Sequence, residues 1–198
     1  MLRTATAEAQ RFEAPAALLE RCAAQDATAW RALYDAYVER VWRFLWRLGV
    51  PEGEIEDITQ EVFVAVLRKL GSFDRRVRFT TWLFAIAVRQ VRAHRRSWRR
   101  RLAFLASWRP APGRAEAPDR ALKRREAVAD LQEILGRMSR RKRDVFVLYE
   151  LEELDGPTIA RVLGCPKKTV WSRLRHARIE FDRMLTERRA LTDGEVAP

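Results

Sequence analysis

The stretch from Gly156 to Leu185 constrains the fold more than any other part of the chain. It opens Gly156-Pro157-Thr158-Ile159-Ala160-Arg161-Val162-Leu163-Gly164-Cys165-Pro166. Ile159, Val162 and Leu163 share one side of a short helix. Gly164 supplies the left-handed residue that ends it. Pro166 suits the opening of a second helix, where a missing N–H costs nothing. That second helix repeats its apolar residues at Val170, Leu174, Ala177 and Phe181. A short helix, a tight glycine turn and a second helix predict a helix-turn-helix. In that motif the second helix enters the DNA major groove and the first braces it.

The outward face of the second helix has the chemistry for that role. Lys168, Thr169, Ser172, Arg175 and His176 point away from the apolar stripe, with Lys167, Trp171 and Arg178 beside that stripe. Arginine reads guanine through two hydrogen bonds, and serine or threonine reaches bases or phosphates. A solvated basic face on a plain amphipathic helix has the same periodicity. The turn chemistry and the absence of acids from 156 through 179 favour DNA.

The net charge is +12, and its distribution says more than its size. Residues 1–64 carry −4 and residues 65–101 carry +11, with Asp74 the lone acid of that block. A basic block bordered by an acidic one predicts two partners, one of them a polyanion. Glycine and proline are sparse and apolar residues recur at helical periods, so the class is all-α: two small helical domains joined by a flexible linker. No apolar run approaches the ~20 residues of a membrane span. Met1 to Glu13 lacks the apolar core of a secretory signal. Cys22 and Cys165 do not suggest a disulfide framework. A cytoplasmic protein with reduced thiols is expected.

In chain order, residues 1–25 form an N-terminal extension, loose at first and then a short helix from Pro15 to Ala24. Asp26 is placed to cap a helix carrying Trp30, Leu33, Tyr34, Tyr37, Val41, Phe44, Leu45 and Leu48. A further helix follows Pro51, with Ile55, Ile58, Val62, Val66 and Leu70 inward and Glu56, Asp57, Gln60 and Glu61 outward. Phe63 lies beside those polar residues. Its position fits either an exposed protein-binding patch or a wide core stripe. Phe73 to Phe79 breaks the helical period, with aromatics at its ends and Arg75, Arg76 and Arg78 between. Thr80 and Thr81 are placed to cap the next helix, which carries Trp82 and then Arg89, Arg92, Arg95, Arg96 and Arg99–Arg101. Cations along a helix after an aromatic loop suit opened DNA, where rings stack on unpaired bases, ahead of an anionic membrane surface, since Trp82, Phe84 and Trp98 sit in a helix that already has a core face to fill. Residues 26–101 form one domain, 102–118 an alanine- and proline-containing linker whose Leu102, Phe104, Leu105 and Trp108 either end the preceding helix or dock on a partner, and 119–187 the helix-turn-helix domain. Residues 188–198 form a tail expected to fray.

No catalytic constellation is visible, and no metal or cofactor is called for. The glycines make no phosphate-cradling loop, and the two histidines are far apart among cations.

Asp57-Ile58-Thr59-Gln60-Glu61-Val62-Phe63 resembles a signature of bacterial RNA polymerase sigma factors. Phe73-Asp74 through Phe79-Thr80-Thr81-Trp82-Leu83 is similar to their promoter-melting loop and the helix after it, and Ile159 through Leu174 to their C-terminal helix-turn-helix. With two helical domains, the chain resembles the extracytoplasmic-function class. The resemblance implies that Asp57, Gln60, Glu61 and Phe63 dock on core RNA polymerase. It implies that Phe73, Arg75, Arg76, Arg78, Phe79, Thr81, Trp82, Arg89, Arg92, Arg95 and Arg96 take the melted minus-ten element. It implies that Lys167, Lys168, Thr169, Trp171, Ser172, Arg173, Arg175, His176 and Arg178 read the double-stranded minus-thirty-five element. An anti-sigma factor is the implied regulator, and membrane insertion is not implied. Trp171 departs from the family, which often has a basic or small residue there; it either stacks in the groove or packs against the first helix. Two rivals remain: a stand-alone helix-turn-helix regulator, and a nucleic-acid-modifying enzyme, which would require an acid cluster in the basic region.

Overall fold

The computed structural model describes residues 14–105 and 122–194, and the side chains of 98–105, 122–129 and 189–194 are not among those described. The described residues form helices and connecting turns, with no strand among them. The helices are α1 (Ala16–Ala23), α2 (Ala27–Arg47), α3 (Glu52–Lys69), α4 (Phe79–Leu105), α5 (Leu122–Arg137), α6 (Arg140–Phe146), α7 (Gly156–Leu163) and α8 (Lys167–Gly194). Contacts divide the chain into two compact units, one built on α1–α4 and the other on α5–α8. None of the described helices is long and apolar enough to cross a membrane.

The first unit folds around one apolar seam. Leu33, Val41, Phe44 and Leu45 of α2 are buried, as are Ile55, Ile58, Val62 and Val66 of α3. Leu83, Phe84, Ala87, Val88 and Val91 of α4 close that core. Phe44 and Phe84 stack at 4.3 Å between centroids. Asp26 caps α2 as its sequence position predicts, its Oδ1 accepting from the amides of Thr28 at 2.8 Å and Ala29 at 3.1 Å. The short helix α1 belongs to this packing: Leu19 and Cys22 are buried, and the Trp30 indole N–H donates to the Cys22 carbonyl at 3.0 Å.

One local expectation changes. Helix α4 begins at Phe79, two residues earlier than a cap at Thr80 requires, and the Trp82 amide donates to the Arg78 carbonyl at 3.1 Å. Thr80 and Thr81 therefore sit in its first turn, with Thr80 buried. The same helix continues through Leu105, so Leu102, Phe104 and Leu105 end it, one of the two places open to them from sequence. The remainder of that linker lies outside the described residues.

In the second unit, α8 packs along α6 and α7. Val170, Leu174, Ala177 and Met184 are buried against Val145, Phe146, Leu148, Ile159 and Leu163 of the same unit. Phe146 and Phe181 stack at 4.8 Å. Between α6 and α7 the chain makes one π turn, Val147–Leu151. Asp155 then caps α7 by accepting from the Thr158 amide at 2.7 Å. Gly164 closes α7 at φ 59°. The amide of Cys165 reaches back to the Ala160 carbonyl at 3.0 Å, as the left-handed closure predicts. Helix α8 runs to Gly194, into the segment read from sequence as a tail. Arg188 holds that end by pairing with Asp130 and Glu133 of α5. Those partners lie more than fifty residues away in sequence, which is why the local pattern did not announce them.

Candidate nucleic-acid interface

Helix α8 carries the clearest candidate surface. Lys167, Lys168, Ser172, Arg175 and His176 are exposed along one side of its first three turns. No carboxylate interrupts them in sequence before Glu180. The His176 Nδ1–H donates to the Ser172 carbonyl at 2.7 Å, which fixes the ring and leaves Nε2 for another partner. Thr169 and Arg173 lie half-buried on the flank, Arg173 with one nitrogen 3.9 Å from the Cys165 sulfur. Exposed donors on the first turns of the second helix are what major-groove contact requires.

Trp171 and Arg178 are held differently. The Arg178 guanidinium donates to Glu150 at 2.6 Å and lies 5.2 Å over the Tyr149 ring. The Glu150 hydrogen bond raises its pKa further, against a smaller desolvation effect. Trp171 is 46% exposed, yet its ring meets Tyr149 edge-on at 5.7 Å. Its six-membered ring also lies against Gly156, where an added Cβ would stand 2.5 Å from the indole. Of the two placements open from sequence, packing against the start of the first helix is the one observed. Ile179, 57% exposed, completes a shallow depression with Trp171, Leu174, Arg175, Arg178 and Asp182.

In the first unit, the loop before α4 folds its rings together. Phe73, Phe79 and Trp82 form a mutual cluster with centroids 5.0–5.8 Å apart. Tyr37 packs edge-on beneath Phe79 at 5.1 Å. Phe79 is only 1% exposed, which corrects its expected role: it is the floor of the cluster and offers no face to a base. Phe73, Thr81 and Trp82 remain half-exposed. Arg75, Arg76 and Arg78 are exposed; Arg75 pairs with Glu20 of α1 at 2.7 Å, and Arg76 stands 4.0 Å from Asp74. Along α4, Arg89 and Arg96 are exposed and Arg92 and Arg95 are half-buried. Arg99–Arg101 lie outside the described side chains.

Helix α3 presents the acidic face. Asp57, Gln60 and Glu61 are exposed, as expected. Phe63 is a second correction. It is 8% exposed and packs on Tyr34 at 4.7 Å, so it belongs to a wide core stripe. The exposed apolar residues on this helix are Val64 at 45% and Leu67 at 41%. They follow Gln60 at helical spacing and share its face. That spacing was the available signal for them, masked in sequence by the larger Phe63. Two polar contacts fix α3 against α4. Glu54 meets His94 at 2.9 Å, and the Gln90 amide donates to the Glu61 carbonyl at 3.4 Å. Among the described residues no cluster of metal-ligating side chains occurs.

Comparison with known proteins matches the two units separately and in order. Residues 33–101 match the Sigma-70 region 2 family model, and residues 129–180 match Sigma-70, region 4. The chain is 30% identical over 177 residues to RNA polymerase sigma-H factor of Pseudomonas aeruginosa, covering 85% of this chain and 92% of that one. It is 31% identical over 173 residues to ECF RNA polymerase sigma factor SigC of Mycobacterium tuberculosis, covering 87% and 92%. Among solved structures it is similar to CnrH in complex with the cytosolic domain of CnrY. That match has 25% identity and a TM-score of 0.59 over 86% of this chain and 96% of CnrH. The fold is also that of the sigma factor RpoE bound to the anti-sigma factor NepR from Bartonella quintana. There the TM-score is 0.63 at 19% identity, over 79% of this chain and 96% of that one.

Proposed function

The chain belongs to the extracytoplasmic-function class of RNA polymerase sigma factors, and on that premise we propose how its own residues divide the work of promoter recognition. A sigma factor joins core RNA polymerase, recognises the minus-thirty-five and minus-ten elements and promotes melting; it is an initiation factor and breaks no covalent bond. Helix α3 docks on the core enzyme through Asp57, Gln60 and Glu61, with Val64 and Leu67 as the apolar centre. Exposed apolar side chains rimmed by charge are the usual composition of a protein interface. Phe63 supports that face from beneath.

The half-exposed rings of Phe73 and Trp82, with Arg76 and Arg78 nearby, receive bases from the opened minus-ten strand. Arg89, Arg92, Arg95 and Arg96 follow its backbone. Stacking on the rings offsets the few kcal/mol of unstacking. Lys168, Ser172, Arg175 and His176 read the minus-thirty-five duplex, and Lys167 and Thr169 contact phosphate. Each reading is weak by itself. Joined on one polymerase, the two multiply through effective concentration. An anti-sigma protein covering these surfaces would silence them together, and the site of action is the cytoplasm.

The observation that carries this reading is the exposed, acid-free side of α8 within a capped helix-turn-helix. Run-off transcription with core polymerase and a promoter library tests it. The wild-type protein should select promoters with two separated elements. Val64→Asp with Leu67→Asp should abolish co-elution with core enzyme while shifting folding stability by no more than about 0.5 kcal/mol, as surface changes do. Selective binding of the free protein to intact duplex sites, without any association with polymerase, would instead mark a stand-alone regulator.

A further inference from the structure

We propose that Trp171 is a positioning residue for minus-thirty-five recognition, its indole wedged between Gly156 and Tyr149 so as to set the roll of α8 that presents Ser172 and Arg175. The inference rests on the assignment of α8 to duplex reading made above. Three segments meet at this one ring. Gly156 is the first residue of α7, and an added Cβ would lie 2.5 Å from Cζ2 and 3.0 Å from Cε2 and Cη2 of the indole. The ring therefore rests on the backbone of the bracing helix. Tyr149, on the π turn before α7, meets it edge-on at 5.7 Å with the planes inclined by 72°. Two turns further along α8, Arg178 covers the same Tyr149 ring and pairs with Glu150. The π turn is thus gripped at two points on one side of α8. π turns recur at functional sites.

The geometry disfavours Trp171 as a reader of bases. Its ring is already engaged by Gly156 and Tyr149. Bases in an intact duplex are stacked on each other and offer their edges to donors and acceptors. An indole fixed at the flank controls how neighbouring donors are aimed. A side chain at the rim of a helix lies roughly 5–6 Å from its axis, so ~10° of roll moves it about 1 Å. Hydrogen bonds weaken steeply over such displacements and angles.

The experiment uses polymerase holoenzyme and the promoter that the wild-type protein selects from a randomised library. Affinity is measured for that promoter, for each single-base variant of its minus-thirty-five element and for unrelated DNA. Trp171→Ala should lower discrimination by roughly tenfold, the size of one hydrogen-bonded base contact. The loss should spread over every base pair the wild type distinguishes, with affinity for unrelated DNA and its salt slope unchanged. Trp171→Phe, which keeps a ring against Tyr149, should recover most of it. Gly156→Ala should reproduce the spread loss with the indole still present, and it serves if Trp171→Ala fails to fold. Loss confined to one base pair would make Trp171 a direct reader and overturn the proposal. So would equal loss on specific and unrelated DNA, or unchanged discrimination in Gly156→Ala. Absence of transcription by the wild-type holoenzyme from any library promoter would instead defeat the sigma-factor reading of the surfaces.

Discussion

The two units use aromatic side chains on their candidate nucleic-acid surfaces in opposite ways. In the first, Phe79 sinks into the core and Phe73 and Trp82 gather round it, so the half-exposed rings are rooted in the hydrophobic seam. In the second, the outward stripe of α8 is made of cations, hydroxyls and the His176 imidazole, and its indole lies to the side, braced on Gly156 and Tyr149. The contrast follows the two tasks proposed for them. Stacking on an extruded base needs a rigid apolar platform. Reading an intact groove needs aimed donors, and the ring serves to aim them.

The largest test of that contrast is Phe79→Ala. A fully buried phenylalanine truncated to alanine costs about 3–5 kcal/mol, so denaturant titration should show the first unit close to unfolding. Phe73→Ala should cost clearly less in the same titration, because part of that ring is in solvent. Equal costs would erase the distinction between floor and platform. Next in size is Arg175→Ala, expected to cost about 1–3 kcal/mol at one upstream base pair. Footprinting or competition across single-base variants should place the loss there; a uniform loss would move Arg175 from base to phosphate.

Smaller still is the cap of α7. Asp155→Ala should destabilise the second unit by about 0.5–2 kcal/mol, the usual worth of an N-cap. The Thr158 hydroxyl and then its backbone amide hold the Asp155 carboxyl below the ordinary aspartate value. A lowered folded pKa gives stability that is complete above the unfolded value of about 3.9 and is lost as pH falls through the lower folded one. Thermal melts of Asp155→Asn, which retains a capping oxygen, should lose that acid sensitivity and little else. A variant as acid-sensitive as the wild type would assign the effect elsewhere.

Much of the second unit could be read locally. Gly164, Pro166 and the stripe from Val170 to Phe181 state their roles within a few residues, since a left-handed turn, a proline-tolerant first turn and a helical period are short-range properties. What escaped depends on partners distant in sequence. Phe63 and Val64 are adjacent, and only the packing of Tyr34 tells which of them turns inward. Phe79 reads as the end of a loop until Tyr37 is placed beneath it. The length of α8 rests on Arg188 meeting α5, and the side taken by Trp171 rests on Gly156 having no side chain.

The contact between Glu20 and Arg75 changes how the first unit meets a polyanion. Glu20, from a helix that sequence alone placed in an extension, is a built-in counter-ion for the loop. With Asp74 close to Arg76, the loop's three arginines stand against two carboxylates. A formal surplus of two across Phe73–Phe79 thereby shrinks to one. Long-range attraction of the strand then falls to the arginines of α4, and the loop itself works at contact range.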